Sequence, residues 1–127
     1  MFNKYLLSII LFLSTFFFIS MGYADQDNKA IQVSQNQPQF TVQLPANLTT
    51  GYSWFLGQYD EQLIEVVSYY YEKPTKTMPG AGGNAVWIFK VKPRAFVAPH
   101  RIVIQMFYMQ PWNASQAQEK KVIVVTH

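Results

Sequence analysis

From residue 30 onward, apolar and polar positions alternate in short runs of period two, punctuated by Pro, Gly, Asn and Asp. That pattern is the mark of half-buried strands. Residues 30–34 read as a short first strand. In residues 39–44, Phe40, Val42 and Leu44 fall on one face, and Pro45 is expected to end the run. Residues 52–56 place Tyr52, Trp54 and Leu56 together. Asp60 is placed to cap a single helical turn over residues 60–63. Residues 64–72 are rich in Val and Tyr, and residues 85–92 turn Trp87, Phe89 and Val91 one way and Lys90 and Lys92 the other. Residues 101–109 alternate Ile102, Ile104, Met106 and Tyr108, and residues 121–126 close the chain with β-branched side chains whose buried face parity leaves open. Trp54 and Trp87, both mid-strand, are expected in the core. No amphipathic helix of useful length, internal repeat or low-complexity linker interrupts the series. Seven short strands with frequent turn signals predict an all-β fold, an immunoglobulin-like antiparallel β-sandwich.

The first 24 residues do not fit that pattern. Lys4 is the only charge before Asp25, and residues 6–19 are apolar apart from Ser8, Ser14 and Thr15. Gly22 and Ala24 put small residues where a signal peptidase reads. Residues 1–24 are therefore expected to be a secretory signal, cleaved after Ala24, and residues 25–127 the single mature domain. The competing reading is a retained anchor, since residues 5–24 are about long enough to span a bilayer. The short apolar core followed by a small-residue site favours cleavage, hence a periplasmic or secreted protein with no stable membrane association.

The mature chain of 103 residues matches the size of an immunoglobulin-like sandwich. Without Lys4 it carries nine basic and seven acidic residues, a formal charge of +2. That is too little to imply nucleic acid or an anionic membrane as partner. There is no cysteine, so a disulfide framework, a thiol nucleophile, a thiolate metal site and a lipoprotein anchor are all excluded. Stability must come from the core, which the aromatic content, 17% of the whole 127-residue chain, makes plausible.

Successive strands of such a sandwich run in opposite directions. The loops after the second, fourth and sixth strands (residues 45–51, 74–84 and 110–118) thus emerge at one end, as binding loops do in antibody variable domains. The first holds Asn47, Leu48, Thr49, Thr50, Gly51 and Tyr52. It is a short polar tip with hydroxyl donors and acceptors, and Gly51 suits a positive φ. By itself it reads first as an ordinary polar hairpin loop. The second holds Gly80, Ala81, Gly82 and Gly83, where another backbone can approach closely; the plain alternative is a linker. The third holds Gln110, Pro111 and Trp112, either an interface anchor on a proline-held loop or a tryptophan folded back on the sandwich.

Catalysis finds little support. His100 and His127 have no Ser, Asp or Cys partner in a recognisable spacing, and two histidines do not make a metal site. No cofactor is expected. The run Tyr69, Tyr70, Tyr71 exposes at least one ring, which suits sheet packing or a binding surface.

Taken together, the segments NLTTGY, GAGG and QPW, with Trp54 behind the first and YMQPW framing the third, resemble the chagasin family. Its members show NPTTG[YF], GxGG and RPW-type loops, and the resemblance covers essentially the whole mature chain. It implies an inhibitor of papain-like cysteine peptidases on an immunoglobulin-like sandwich, not an enzyme; a monomer is expected. The first loop would enter the active-site cleft, with Thr49 and Thr50 near the catalytic cysteine and histidine. The glycine loop would pair backbone to backbone on the non-primed side, and Trp112 would pack on the primed side. Two positions depart from the pattern. Leu48 stands where the family has proline, which removes a fixed φ. Gln110 stands for arginine, which removes a charge and a bidentate donor. Asn47 and Asn113 head glycosylation sequons, and a glycan on Asn47 would obstruct the wedge, so a bacterial setting is expected. The alternative is a non-inhibitory exported module that binds carbohydrate or a protein through the same loops.

Overall fold

A computed structural model describes residues 29–75 and 79–127. The expected signal segment 1–24, most of the polar leader after it and the centre of the glycine-loop connection lie outside the described residues. Seven strands follow in order: β1 (Ile31–Val33), β2 (Gln39–Ala46), β3 (Ser53–Leu56), β4 (Ile64–Glu72), β5 (Gly83–Val91), β6 (Arg101–Gln110) and β7 (Asn113–Thr126). They form a four-stranded sheet in the order β1-β7-β6-β3 and a three-stranded sheet in the order β2-β5-β4. The fold is the expected immunoglobulin-like sandwich. One pairing departs from the antiparallel rule: β1 runs parallel to β7, with Ile31 opposite Val124.

The alternation read from sequence sets the core. Phe40, Val42 and Leu44 of β2, Ile64 of β4, Phe89 and Val91 of β5 and Ile102, Ile104 and Met106 of β6 are buried between the sheets. Phe40 stacks on Phe89 with centroids 5.3 Å apart. Fully burying one such side chain stabilises the fold by about 1.5–3 kcal/mol. The open face of β7 is settled by its register: Val122 and Val124 sit opposite Ile104 and Ile102 and share their buried face. Thr126 is buried too, its hydroxyl donating to Ala95 O at 2.8 Å and accepting from His100 N at 2.9 Å.

Several boundaries differ from the sequence reading. β2 runs through Pro45 to Ala46, because β2 is an edge strand and can tolerate a missing donor. Residues 60–63 form a hydrogen-bonded turn without a helix; Asp60 caps it, accepting from Gln62 N at 2.9 Å. β7 begins at Asn113, so the expected loop over 110–118 is a two-residue turn. Trp54 and Trp87 are half-buried and flank the core without entering it. Trp54 Nε1 donates to Pro45 O at 2.9 Å, whereas the buried Nε1 of Trp87 has no partner.

Candidate functional site

The chain turns from β2 to β3 through one turn of 3-10 helix, Leu48–Thr50, which exists because of Asn47 and Gly51. Asn47 is its N-cap: Oδ1 accepts from Thr49 N at 3.1 Å and from Thr49 Oγ1 at 2.6 Å. Thr50 Oγ1 donates to Asn47 O at 2.7 Å. Gly51 ends the turn at φ +77°, a left-handed conformation that glycine adopts at least cost, and its N–H donates to Leu48 O at 3.2 Å. The turn forms without the family's proline. Both threonine hydroxyl protons are committed inside the loop, so the tip offers a partner oxygen lone pairs, not the donors expected from sequence. Leu48 stands beside them, 49% exposed.

The glycine segment divides. Gly80 lies in open space at φ +78°, and Gly82 is exposed, with a Cβ there only in ordinary contact with Ala46 O at 3.4 Å. Gly83, by contrast, is the first residue of β5, buried and paired with Ala46. A Cβ on Gly83 would collide with the Glu72 carbonyl oxygen and lie 2.6 Å from the Tyr71 hydroxyl. Gly83 therefore serves the fold, and the backbone open to a visitor is that of Gly80, Ala81 and Gly82.

At the third segment, β6 and β7 meet in the turn Pro111-Trp112, with Gln110 opposite Asn113. No described non-glycine residue has positive φ, so the turn is of the unprimed kind that favours proline in its second position. A register shift between Tyr108 and Gln110 accommodates the twist mismatch such turns impose. Trp112 is 73% exposed, neither folded back nor free: a Cβ on Gly51 would lie 2.7 Å from Trp112 Cη2.

Hydrogen bonds tie the three segments together. Asn47 Nδ2 donates to Gly80 O at 3.0 Å, and Gln110 Nε2 donates to Thr50 O at 3.2 Å. Beneath them Tyr108 packs between Tyr52 and Trp54, at centroid distances of 5.2 and 4.9 Å. A shallow groove of about 490 Å³ runs between the first two loops, lined by Pro45, Ala46, Asn47, Gly82, Asn84 and Tyr108 among others. Pro45, Ala46, Asn84 and Tyr108 were not among the sequence candidates; YMQPW was the only signal for Tyr108. None of the thirteen candidate residues is charged. His100 lies at the opposite end of β6, its Nδ1 2.9 Å from Ala95 O. Among the described residues no three His, Cys, Asp or Glu side chains gather into a metal-binding group.

Comparison with known proteins bears on the fold and the family. None of the curated proteins matches the chain. The fold is similar to that of the cysteine protease inhibitor EhICP2 from Entamoeba histolytica, with a TM-score of 0.58 at 19% identity over 80% of this chain and 88% of that one. It is also similar to the solution structure of amebosin, with a TM-score of 0.50 at 15% identity over 79% of this chain and 100% of that one. The model of the chagasin family peptidase inhibitors, family I42, matches residues 33–126, from the end of β1 to the end of β7 and across all three loops. The chain belongs to the chagasin family of peptidase inhibitors.

Proposed function

We propose that the protein is an exported, monomeric, reversible and tight-binding inhibitor of papain-like cysteine peptidases, blocking the active-site cleft with the β2–β3, β4–β5 and β6–β7 loops. The observation that carries this reading is the cross-bracing of the three loops by Asn47 and Gln110 at one end of a rigid sandwich. Loops fixed beforehand lose little ordering entropy on association. Thr49 and Thr50 stand at the apex, where the catalytic cysteine and histidine would lie. Gly80, Ala81 and Gly82 offer backbone to an extended cleft wall, and Trp112, exposed over most of its surface while resting on Gly51, offers a ring face to an aromatic on the other side. No peptide bond need be presented for cleavage. Export follows from the apolar segment before Asp25.

The test is a titration of residues 25–127 against papain and a cathepsin L-like enzyme, with a fluorogenic peptide as substrate and trypsin as control. Inhibition of the cysteine enzymes alone is expected. A folded sample that inhibits neither refutes the reading, and glycan binding by that sample would identify it as a carbohydrate-binding module. N-terminal sequencing of the mature protein should begin at Asp25.

A further inference from the structure

We propose that Gln110 is a positioning residue: it latches the β6–β7 turn to the apex of the β2–β3 loop and thereby sets the attitude of Trp112. The inference rests on the inhibitory reading for its consequence, but not for its geometry. Gln110 is the last residue of β6, directly before the turn. Its Nε2 reaches across 60 residues of sequence to Thr50 O. On the next peptide, the six-membered ring of Trp112 lies over Gly51, and a Cβ built there would meet Cη2 at 2.7 Å, Cζ2 at 3.2 Å and Gln110 Nε2 at 3.8 Å. The amide and the indole therefore grip the Thr50–Gly51 unit from the same turn.

Thr50 is held from every side. Its N–H donates to Asn47 O at 3.3 Å, and its hydroxyl donates to Asn47 O and accepts from Tyr52 N at 3.3 Å. Its carbonyl has Gln110. Among the described residues no other side-chain hydrogen bond joins the turn to the apex; what holds it there besides is the contact of an exposed ring with Gly51 and the neighbouring pair Ser53–Met109. An amide fits the role because it reaches a carbonyl as a neutral donor and leaves the apex uncharged. The position at which the family pattern carries a charge thus turns inward in this chain. Its effect on a peptidase would be transmitted through Trp112 and not through a contact of its own.

The experiment uses Gln110→Met, which keeps length and loses the donor, in the otherwise native mature protein and in a Trp112→Ala background. In the free protein, the nuclear Overhauser contact between the Trp112 ring and the Gly51 α-protons should be strong, and should weaken markedly in Gln110→Met while the remaining spectrum is retained. Against papain, Gln110→Met should raise the dissociation rate about 3- to 10-fold, the worth of one hydrogen bond. In the Trp112→Ala background the same change should have almost no effect, because the side chain it positions is gone. An equal loss in both backgrounds would mean that Gln110 touches the peptidase itself and would overturn the proposal. So would an unchanged Overhauser contact. If papain is not inhibited at all, the functional reading fails, and the spectrum of the free protein still decides whether the latch exists.

Discussion

Replacing Gly83 by alanine adds one methyl group where the protein has no room, and replacing Gly82 adds the same group where it has. At Gly83 the new Cβ would run into the Glu72 carbonyl oxygen of the paired strand β4 and lie 2.6 Å from the Tyr71 hydroxyl. Tyr71 OH is itself bonded to Ala46 O at 3.4 Å, so the ring has little freedom to retreat. The strands must separate locally, at a cost typical of overpacking, about 1–3 kcal/mol, with the upper end expected because backbone is struck. For a domain of this size each kcal/mol shifts Tm by roughly 4–8 °C, so Gly83→Ala should lower it by about 10–20 °C. At Gly82 the nearest atom to the new Cβ is Ala46 O at 3.4 Å, an ordinary contact. Gly82→Ala should leave Tm within about 3 °C, since restricting the unfolded chain offsets the new contact. Its effect should fall on papain inhibition, weakened about 10-fold or more if backbone approach at this residue is part of binding. Thermal unfolding by circular dichroism and the peptidase titration, run on both variants, separate the two effects. A Gly83→Ala protein as stable as the parent would refute the packing argument. A Gly82→Ala protein with unaltered inhibition would refute the assignment of the loop to the interface.

Trp112→Ala should weaken inhibition about 30- to 1000-fold, the cost of about 2–4 kcal/mol for losing a hot spot; because the ring is mostly exposed, Tm should barely move, and a large drop in Tm would show the ring to be structural. Thr126→Val leaves His100 N without its buried acceptor and takes one contact from Ala95 O, which keeps His100 Nδ1 at 2.9 Å; it should cost about 1–3 kcal/mol in urea unfolding, whereas a neutral result would mean that water replaces the hydroxyl. With no charge among the thirteen candidate residues, raising ionic strength from about 0.05 to 0.5 M should change the association rate with papain less than about threefold. A steep fall would place charged residues outside these loops in the encounter.

The strands carrying the core were legible because burial imposes period two on them: Phe40, Val42 and Leu44, or Ile102, Ile104 and Met106, admit no other reading. The first half of β7 was not. Its residues 113–120 are polar on both faces, as befits a hairpin extending beyond the core, and its hydrogen bonds are made by backbone that any side chain accepts. Trp87 was misplaced for a related reason: alternation gives the face of a strand, not how far along the sheet the opposite layer reaches. The loops themselves stood out as motifs. Their bracing did not, since Asn47 and Gly80 lie 33 residues apart and Gln110 and Thr50 lie 60 apart, and an amide donor carries no sequence signature of its partner.

The strand order has a consequence in time. The last strand of the chain, β7, lies inside the four-stranded sheet, between β6 and the parallel β1. As a chain grows from its N-terminus, β1 therefore has no hydrogen-bonded strand partner until residue 124 exists, and β6 has only β3. Pairing residue 31 with residue 124 closes nearly the whole domain into one loop, a non-local contact of the kind that slows folding to milliseconds or longer. The sheet that holds Trp112 aloft is completed only when residues 113–126 are made, so a chain ending short of β7 would lack the strand that closes the Trp112 turn together with Val122 and Val124 of its core.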